Sequence, residues 1–205
     1  MATPHVSPRY RTAPEAIEAG VSAMHAALEA AGVTLELLGG AEVAMELALD
    51  LPDETLRRLT LGDSSCLLLE SPLVPAVGPV FERCVADLQE RGYRILLAHP
   101  ERAPMFLARP QRLRELVEGG ALCSITASAL EGRFGAAARW FGLELLRDRL
   151  VHSIDSDAHD AIGRPPGLRG GLAAAVAALP AVAERAGWLS DDVPAALLAD
   201  APLPA

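Results

Sequence analysis

No stretch of this 205-residue chain approaches the roughly 18 uninterrupted apolar residues that a membrane span needs. Hydrophobic residues make up 51% of it, but they fall in many short runs, which excludes a membrane-embedded helical protein. Residues Met1 to Tyr10 lack a basic region followed by an apolar one, so no secretory signal is read there. A soluble, cytoplasmic protein is expected. Positive charge is also scarce: 18 basic residues stand against 27 acidic ones, for a formal charge of -9. That balance excludes the usual footprint of nucleic-acid binding, an excess of cationic side chains on one face. Solubility accounts for most of the acidity, and carboxylates gathered around cations for a smaller share. Cysteine is rare as well. Cys66, Cys84 and Cys123 are widely spaced and form no C-x-x-C pair, which excludes a disulfide framework or a zinc knuckle. They read as buried apolar fillers in a reducing compartment.

What the chain does contain is an alternation of short β-like runs with longer helix-like ones. Thr12-Ala13-Pro14-Glu15 has the form of a capping box, with Pro14 in the first turn. Ile17, Val21, Met24 and Leu28 then recur at helical spacing up to Gly32. Leu35 to Val43 is a strand candidate weakened by Gly39 and Gly40, and Asp53 is expected to cap a short helix through Leu59. Cys66 to Leu69 and Ile95 to Ala98 are continuous apolar runs, as strands covered on both faces would be. Between them Val80, Phe81, Cys84, Val85 and Leu88 form a helical stripe ending at Gly92. A helix from about Arg109 to Glu118, a strand from Leu122 to Thr126, a helix from about Ala136 to Arg147 and a strand from Val151 to Ile154 follow. The tail, Leu168 to Leu198, is Ala-rich and helical, with breaks at Pro180 and near Ser190. Such units imply an α/β fold of parallel strands joined by crossovers. The length suits one domain over residues 1–205, without repeat or linker.

Each apolar run is followed by a hard or borderline metal ligand: His5 after Ala2-Thr3-Pro4, Glu42, Glu70, His99, then Asp157 and His159. In parallel α/β folds the C-terminal strand ends converge on one face, where sites are built. Any one of these residues has a plain structural explanation; six at strand ends do not. Mixed histidine and carboxylate donors suit Mn, Fe or Zn, and bridging carboxylates suit more than one ion. Arg102, just past His99, and Arg164, five residues after His159, are candidate phosphate binders because a guanidinium forks onto phosphate oxygens. His25, mid-helix, is read as solvated and His152 as structural.

The segments Ala2-Thr3-Pro4-His5, Gly40-Ala41-Glu42-Val43, Leu69-Glu70, Ala98-His99-Pro100-Glu101-Arg102 and Ser156-Asp157-Ala158-His159 occur in that order. With Ile125-Thr126-Ala127-Ser128-Ala129-Leu130 and Gly132-Arg133-Phe134-Gly135, they resemble the manganese-dependent protein-tyrosine phosphatases of bacterial capsule and exopolysaccharide synthesis. These belong to the polymerase and histidinol phosphatase (PHP) superfamily, and the resemblance runs from Met1 to about Arg164. It implies a distorted (β/α)7 TIM-like barrel with about three metal ions, Mn foremost and Fe, Zn or Mg as alternatives. His5, Glu42, Glu70, His99, Asp157 and His159 would be metal ligands, and Arg102 and Arg164 would hold phosphate. The family's first strand carries a His-x-His pair and an acidic ligand about one βα unit before the Ala-Thr-Pro-His segment. The resemblance therefore implies an incomplete barrel here, lacking that unit and up to three ligands. Ser124 stands where the family would have glutamine.

The chemistry implied is hydrolysis by a metal-activated water, since metal binding lowers water's pKa from 15.7 to about 7. Tyrosine, with a pKa near 10, needs only modest help to leave, and His159 or a metal-held water would supply that proton. A phosphocysteine route is excluded: after five intervening residues Cys66, Cys84 and Cys123 are followed by Pro72, Glu90 and Ala129, never arginine. The expected partner is a phosphotyrosine protein, above all a bacterial tyrosine kinase. Two alternatives stay open: a PHP phosphatase for small-molecule phosphates, and a non-catalytic remnant that binds a partner or fewer ions. An exposed strand edge would also favour a homo-oligomer.

Overall fold

The structure, a computed structural model, describes residues 1–74 and 78–205. The elements in chain order are β1 (His5–Val6), α1 (Pro14–Ala30), β2 (Glu42–Ala44), α2 (Met45–Ala48), α3 (Asp53–Arg57), β3 (Cys66–Glu70), α4 (Gly78–Glu90), β4 (Arg94–Ala98), α5 (Pro104–Ala108), α6 (Pro110–Glu118), β5 (Leu122–Thr126), α7 (Ala127–Leu130), α8 (Ala136–Arg147), β6 (Ser153–Asp155), α9 (Arg169–Ala178) and α10 (Val193–Leu198). The six strands form one parallel sheet in the order β1-β2-β3-β4-β5-β6. Parallel neighbours require crossovers, and the intervening helices supply them.

The register explains where the polar residues go. His5, Glu42, Leu68, Leu96 and Leu122 form one row across the sheet. Ala44, Glu70, Ala98, Ser124 and Ser153 form the row two residues further along. Residues two apart share a face, so both rows point inward, toward the concave side. The alternate residues, among them Val43, Leu67, Leu69, Ile95, Leu97, Cys123 and Ile125, are buried against the helices in the main core. On the inner side a smaller cluster of Cys66, Leu96 and Leu122 packs on Val193 and Leu197 of α10. The C-terminal helix thus plugs the N-terminal end of the strands and leaves their C-terminal ends open. No described helix is long and apolar enough to cross a membrane.

Several sequence expectations change. Thr12 does not cap α1: its hydroxyl donates to the His5 carbonyl (3.0 Å), and Ala13 is the cap residue. Of the α1 stripe only Ile17 is buried, and Met24 is 49% exposed. The strand expected over Leu35 to Val43 shrinks to Glu42–Ala44; upstream, among the described residues, there is one isolated bridge, Ala2 to Gly39. Asp53 lies in the first turn of α3 and accepts from Arg91 (2.8 Å), and Pro52 is the cap residue. Val80 is exposed, unlike the rest of the α4 stripe. His25 is exposed but not merely solvated, since it accepts the Leu37 N–H (3.1 Å). The helix expected from about Arg109 to Glu118 is α6, with Pro110 in its first turn, and the short helix α5 before it was not expected. The three cysteines are free and buried.

Candidate metal and phosphate site

Both inward rows end at one cleft. His5, Glu70, His99, Arg102, Asp157, His159 and Arg164 line a cavity of about 280 Å³. His5, His99, Asp157 and His159 also line a larger cavity of about 770 Å³, which Glu42 enters from the sheet. All eight residues singled out in the sequence therefore meet at the C-terminal strand ends. They do not form one uniform cluster. Donor atoms of His5, Glu42 and Glu70 lie within 4.8 Å of one another. The His99 ring bonds Glu42 through Nε2 (2.8 Å). Asp157 instead faces the arginines, accepting from Arg102 (2.6 Å) and from Arg164 on the same oxygen. Its other oxygen is 3.6 Å from His159 Nδ1, and the His159 ring is 5.8 Å from that of His5.

Local backbone geometry sets this up. His99 and Asp157 both take left-handed conformations, with φ of 38° and 44°. Such a position costs a non-glycine residue about 1–3 kcal/mol, less for Asp and His than for branched side chains. Two of them in one cleft mark a place where side-chain direction outweighs backbone comfort. The loop after β6 is closed by Asp160, whose carboxylate accepts the N–H groups of Ile162 (2.7 Å) and Gly163 (2.5 Å). His159 N–H donates to the Arg164 carbonyl (2.9 Å), so the loop returns Arg164 to its start. Two partners fix the His159 tautomer: Nδ1–H donates to the Asp157 carbonyl (3.0 Å), while Nε2 accepts from Arg164 (3.2 Å). Gly132 and Gly135, at φ of +89° and +90°, make the turn that presents Phe134. The Arg102 guanidinium lies 4.1 Å from the centre of that ring and Arg164 lies 5.4 Å from it.

Three acidic or polar residues at the strand ends had been given no role. Asp155 ends β6 and accepts from the Ser124 hydroxyl (2.5 Å); burial pushes its carboxyl up to about 6. Its signal was present, an acid closing the apolar run before Asp157. Glu101 is fully buried and accepts the Thr126 N–H (3.1 Å), tying the end of β4 to that of β5; burial pushes it up to about 7. Ser124 also accepts from Ser153 (2.8 Å).

These donors fit cations. Burial, and then repulsion from Glu42, raise the Glu70 carboxyl above its ordinary range. Buried His99 is pulled down by desolvation, but the Glu42 carboxylate outweighs this and holds it above its usual value. Its Nδ1 is buried with no partner among the described residues. Crowded carboxylates and an orphaned imidazole nitrogen are what a positive ion would satisfy.

Fold and cleft together define a class: a parallel α/β protein with histidine and carboxylate donors, beside an arginine pair, at the C-terminal ends of its strands. More particularly, the chain belongs to the capsular polysaccharide synthesis family CpsB/CapC, whose sequence model matches residues 1–178. It is 34% identical over 165 residues to the tyrosine-protein phosphatase YwqE of Bacillus subtilis, covering 78% of this chain and 63% of that protein. It is 38% identical over 105 residues to the putative tyrosine-protein phosphatase CapC of Staphylococcus aureus, covering 51% of this chain and 41% of that one. The chain thus matches less than two thirds of the length of either relative. A solved chain from the crystal structures of YwqE from Bacillus subtilis and CpsB from Streptococcus pneumoniae, described as unique metal-dependent tyrosine phosphatases, superposes with a TM-score of 0.80. The sequences are 28% identical, and the match covers 99% of this chain and 81% of that one.

Proposed function

We propose that this protein is a metal-dependent phosphatase that hydrolyses phosphotyrosine on a protein of capsule or exopolysaccharide synthesis. The observation that carries the reading is the adjacency of two devices: the His5–Glu42–Glu70 donor group, and the Arg102–Arg164 pair that shares Asp157. His5, Glu42, Glu70, His99, Asp157 and His159 are the proposed ligands, for Mn first and for fewer than the family's three ions if the set is partial. Bound cations would supply a water acidified toward neutral pH and would offset charge on the phosphoryl group.

The chain's own residues do the rest. Arg102 and Arg164 orient the phosphate, two forks on one aromatic base, and Asp157 keeps their like charges together when no phosphate is present. His159 borders this grip: once phosphate draws Arg164 away from its Nε2, that nitrogen is free to take up a proton and pass it to the departing tyrosine oxygen, while the Asp157 carbonyl holds the ring through Nδ1–H. The names of the two relatives favour the tyrosine phosphatase reading over a small-molecule one.

The frame is proposed to be a single PHP-type domain, an open barrel of the (β/α)7 kind that lacks the strand joining β6 to β1. In support, no ladder joins those edges among the described residues, and the 770 Å³ cavity is lined by residues of both edges and by the apolar face of α1. A bacterial tyrosine kinase is the proposed partner, and the free edges are where self-association would occur. The free, buried cysteines accord with a reducing cytoplasm.

Hydrolysis of a phosphotyrosine peptide, measured with Mn and after thorough chelation, tests the reading. Release of phosphate that depends on the metal is expected. Release that survives chelation would remove the metal from the account.

A further inference from the structure

Beyond the phosphate grip, the cleft holds aromatic surface that hydrolysis itself does not require. Phe134 is committed to the two guanidinium groups and is not part of the cleft lining. Tyr10 is different. It lines the cleft, stays 49% exposed, and stacks on the His5 ring with centroids 5.8 Å apart and planes at 24°. Its backbone is fixed by a tight turn: Ser7 N–H donates to the Tyr10 carbonyl (2.9 Å), and Tyr10 N–H donates to the Ser7 hydroxyl (3.2 Å). Arg9 lies 5.2 Å from the centre of the Tyr10 ring. The phenol oxygen makes no hydrogen bond to another described residue, so the stacking and the turn alone hold the ring.

We infer that Tyr10 determines specificity, as the wall that receives the aromatic leaving group and so selects aryl over alkyl phosphate esters. This rests on the phosphatase reading above. With the phosphoryl group among Arg102, Arg164 and the donors, the ester oxygen must point out of the cleft, past its lining. A phenyl ring there is long enough to lie against Tyr10. The one or two carbons of a serine or threonine side chain reach the peptide backbone before making such a contact. An aromatic pair adds a contact of about the size that gives a tenfold preference.

The test uses the full chain supplied with Mn and two peptides of one sequence, carrying phosphotyrosine or phosphoserine. Tyr10→Ala should lower the ratio of their kcat/KM values about tenfold, chiefly through KM for the phosphotyrosine peptide. Tyr10→Phe should keep the ratio. An unchanged ratio in Tyr10→Ala overturns the inference, even if both activities fall together through the His5 contact. If the wild-type chain hydrolyses neither peptide, the phosphatase reading fails separately. Competition binding of phenyl phosphate and methyl phosphate then decides: a preference for phenyl phosphate that Tyr10→Ala abolishes supports Tyr10, and equal binding by the wild type overturns it.

Discussion

Replacing Gly171 by alanine should damage both the fold and the site, because α9 rests on α7 through bare backbone. A Cβ at residue 171 would stand 2.6 Å from the carbonyl carbon and from the Cα of Ala127, and closer still to the carbonyl oxygen. An ordinary carbon–carbon contact begins near 3.5 Å, so one helix must retreat by about 1 Å. Backbone cannot swing aside as a long side chain can. Overpacking of this kind costs about 1–3 kcal/mol, and for a chain of this size each kcal/mol lowers Tm by roughly 2–4 °C. The displacement also reaches the chemistry. Residue 127 directly follows β5, and α9 follows the loop that carries Asp157, His159 and Arg164. Thermal unfolding of Gly171→Ala should therefore show a Tm loss of roughly 2–12 °C. Gly187→Ala is the matched control, because that residue is helical (φ -63°) and nothing lies within 4 Å of its Cβ position. It should gain about 0.4–1 kcal/mol from a stiffer unfolded chain. A Gly171→Ala protein as stable as the wild type would refute the close approach of these helices.

Two further outcomes follow from the same contacts. Arg102→Ala removes a charged bond from the phosphate grip, so inhibition by inorganic phosphate should weaken roughly ten- to hundredfold while metal content stays unchanged; an unaltered inhibition constant would take Arg102 out of the site. Burial, with help from Arg185, lowers His152 from 6.5 to about 4, and its Nδ1 accepts the Cys123 N–H (3.2 Å). The unfolded chain therefore takes up a proton between about pH 6.5 and 4 that the native chain refuses. That contribution to stability is complete above pH 6.5 and falls as pH drops toward 4, by roughly 3 kcal/mol at most. Asp155 and Glu101, raised by burial, act in the opposite sense, so the readout is wild type against His152→Gln in urea unfolding at several pH values. Identical pH slopes for the two proteins would rule His152 out.

The strands that carry the site were legible because their apolar runs are unbroken and end in a ligand-type residue. Leu122–Thr126 is buried throughout, and Cys66–Glu70 and Arg94–Ala98 are mostly so, so composition alone marks them. The elements that misled are those whose environment is incomplete. The spacing of Ile17, Val21, Met24 and Leu28 is correct for a helix, but periodicity gives a face and not what covers it; here that face borders the large cavity. Thr12 had the right chemistry for a cap and found a nearer acceptor in His5. Positions of the candidate ligands were readable from strand ends, whereas their pairing was not. That Asp157 turns to two arginines depends on a left-handed backbone and an Asp160-closed loop, which appear only in three dimensions. Glu101 was given no role although it stands in the segment with His99 and Arg102, because only the packing of the strand ends shows that it is buried.

Metal content bears most directly on the central claim. Protein stripped by chelation, reloaded with Mn and passed through a desalting column should retain one or more equivalents by elemental analysis. Glu70→Ala, which removes a half-buried donor within 4.8 Å of His5 and Glu42, should lose most of it while remaining folded. Equal Mn in the two proteins, or none in the wild type, would contradict the account.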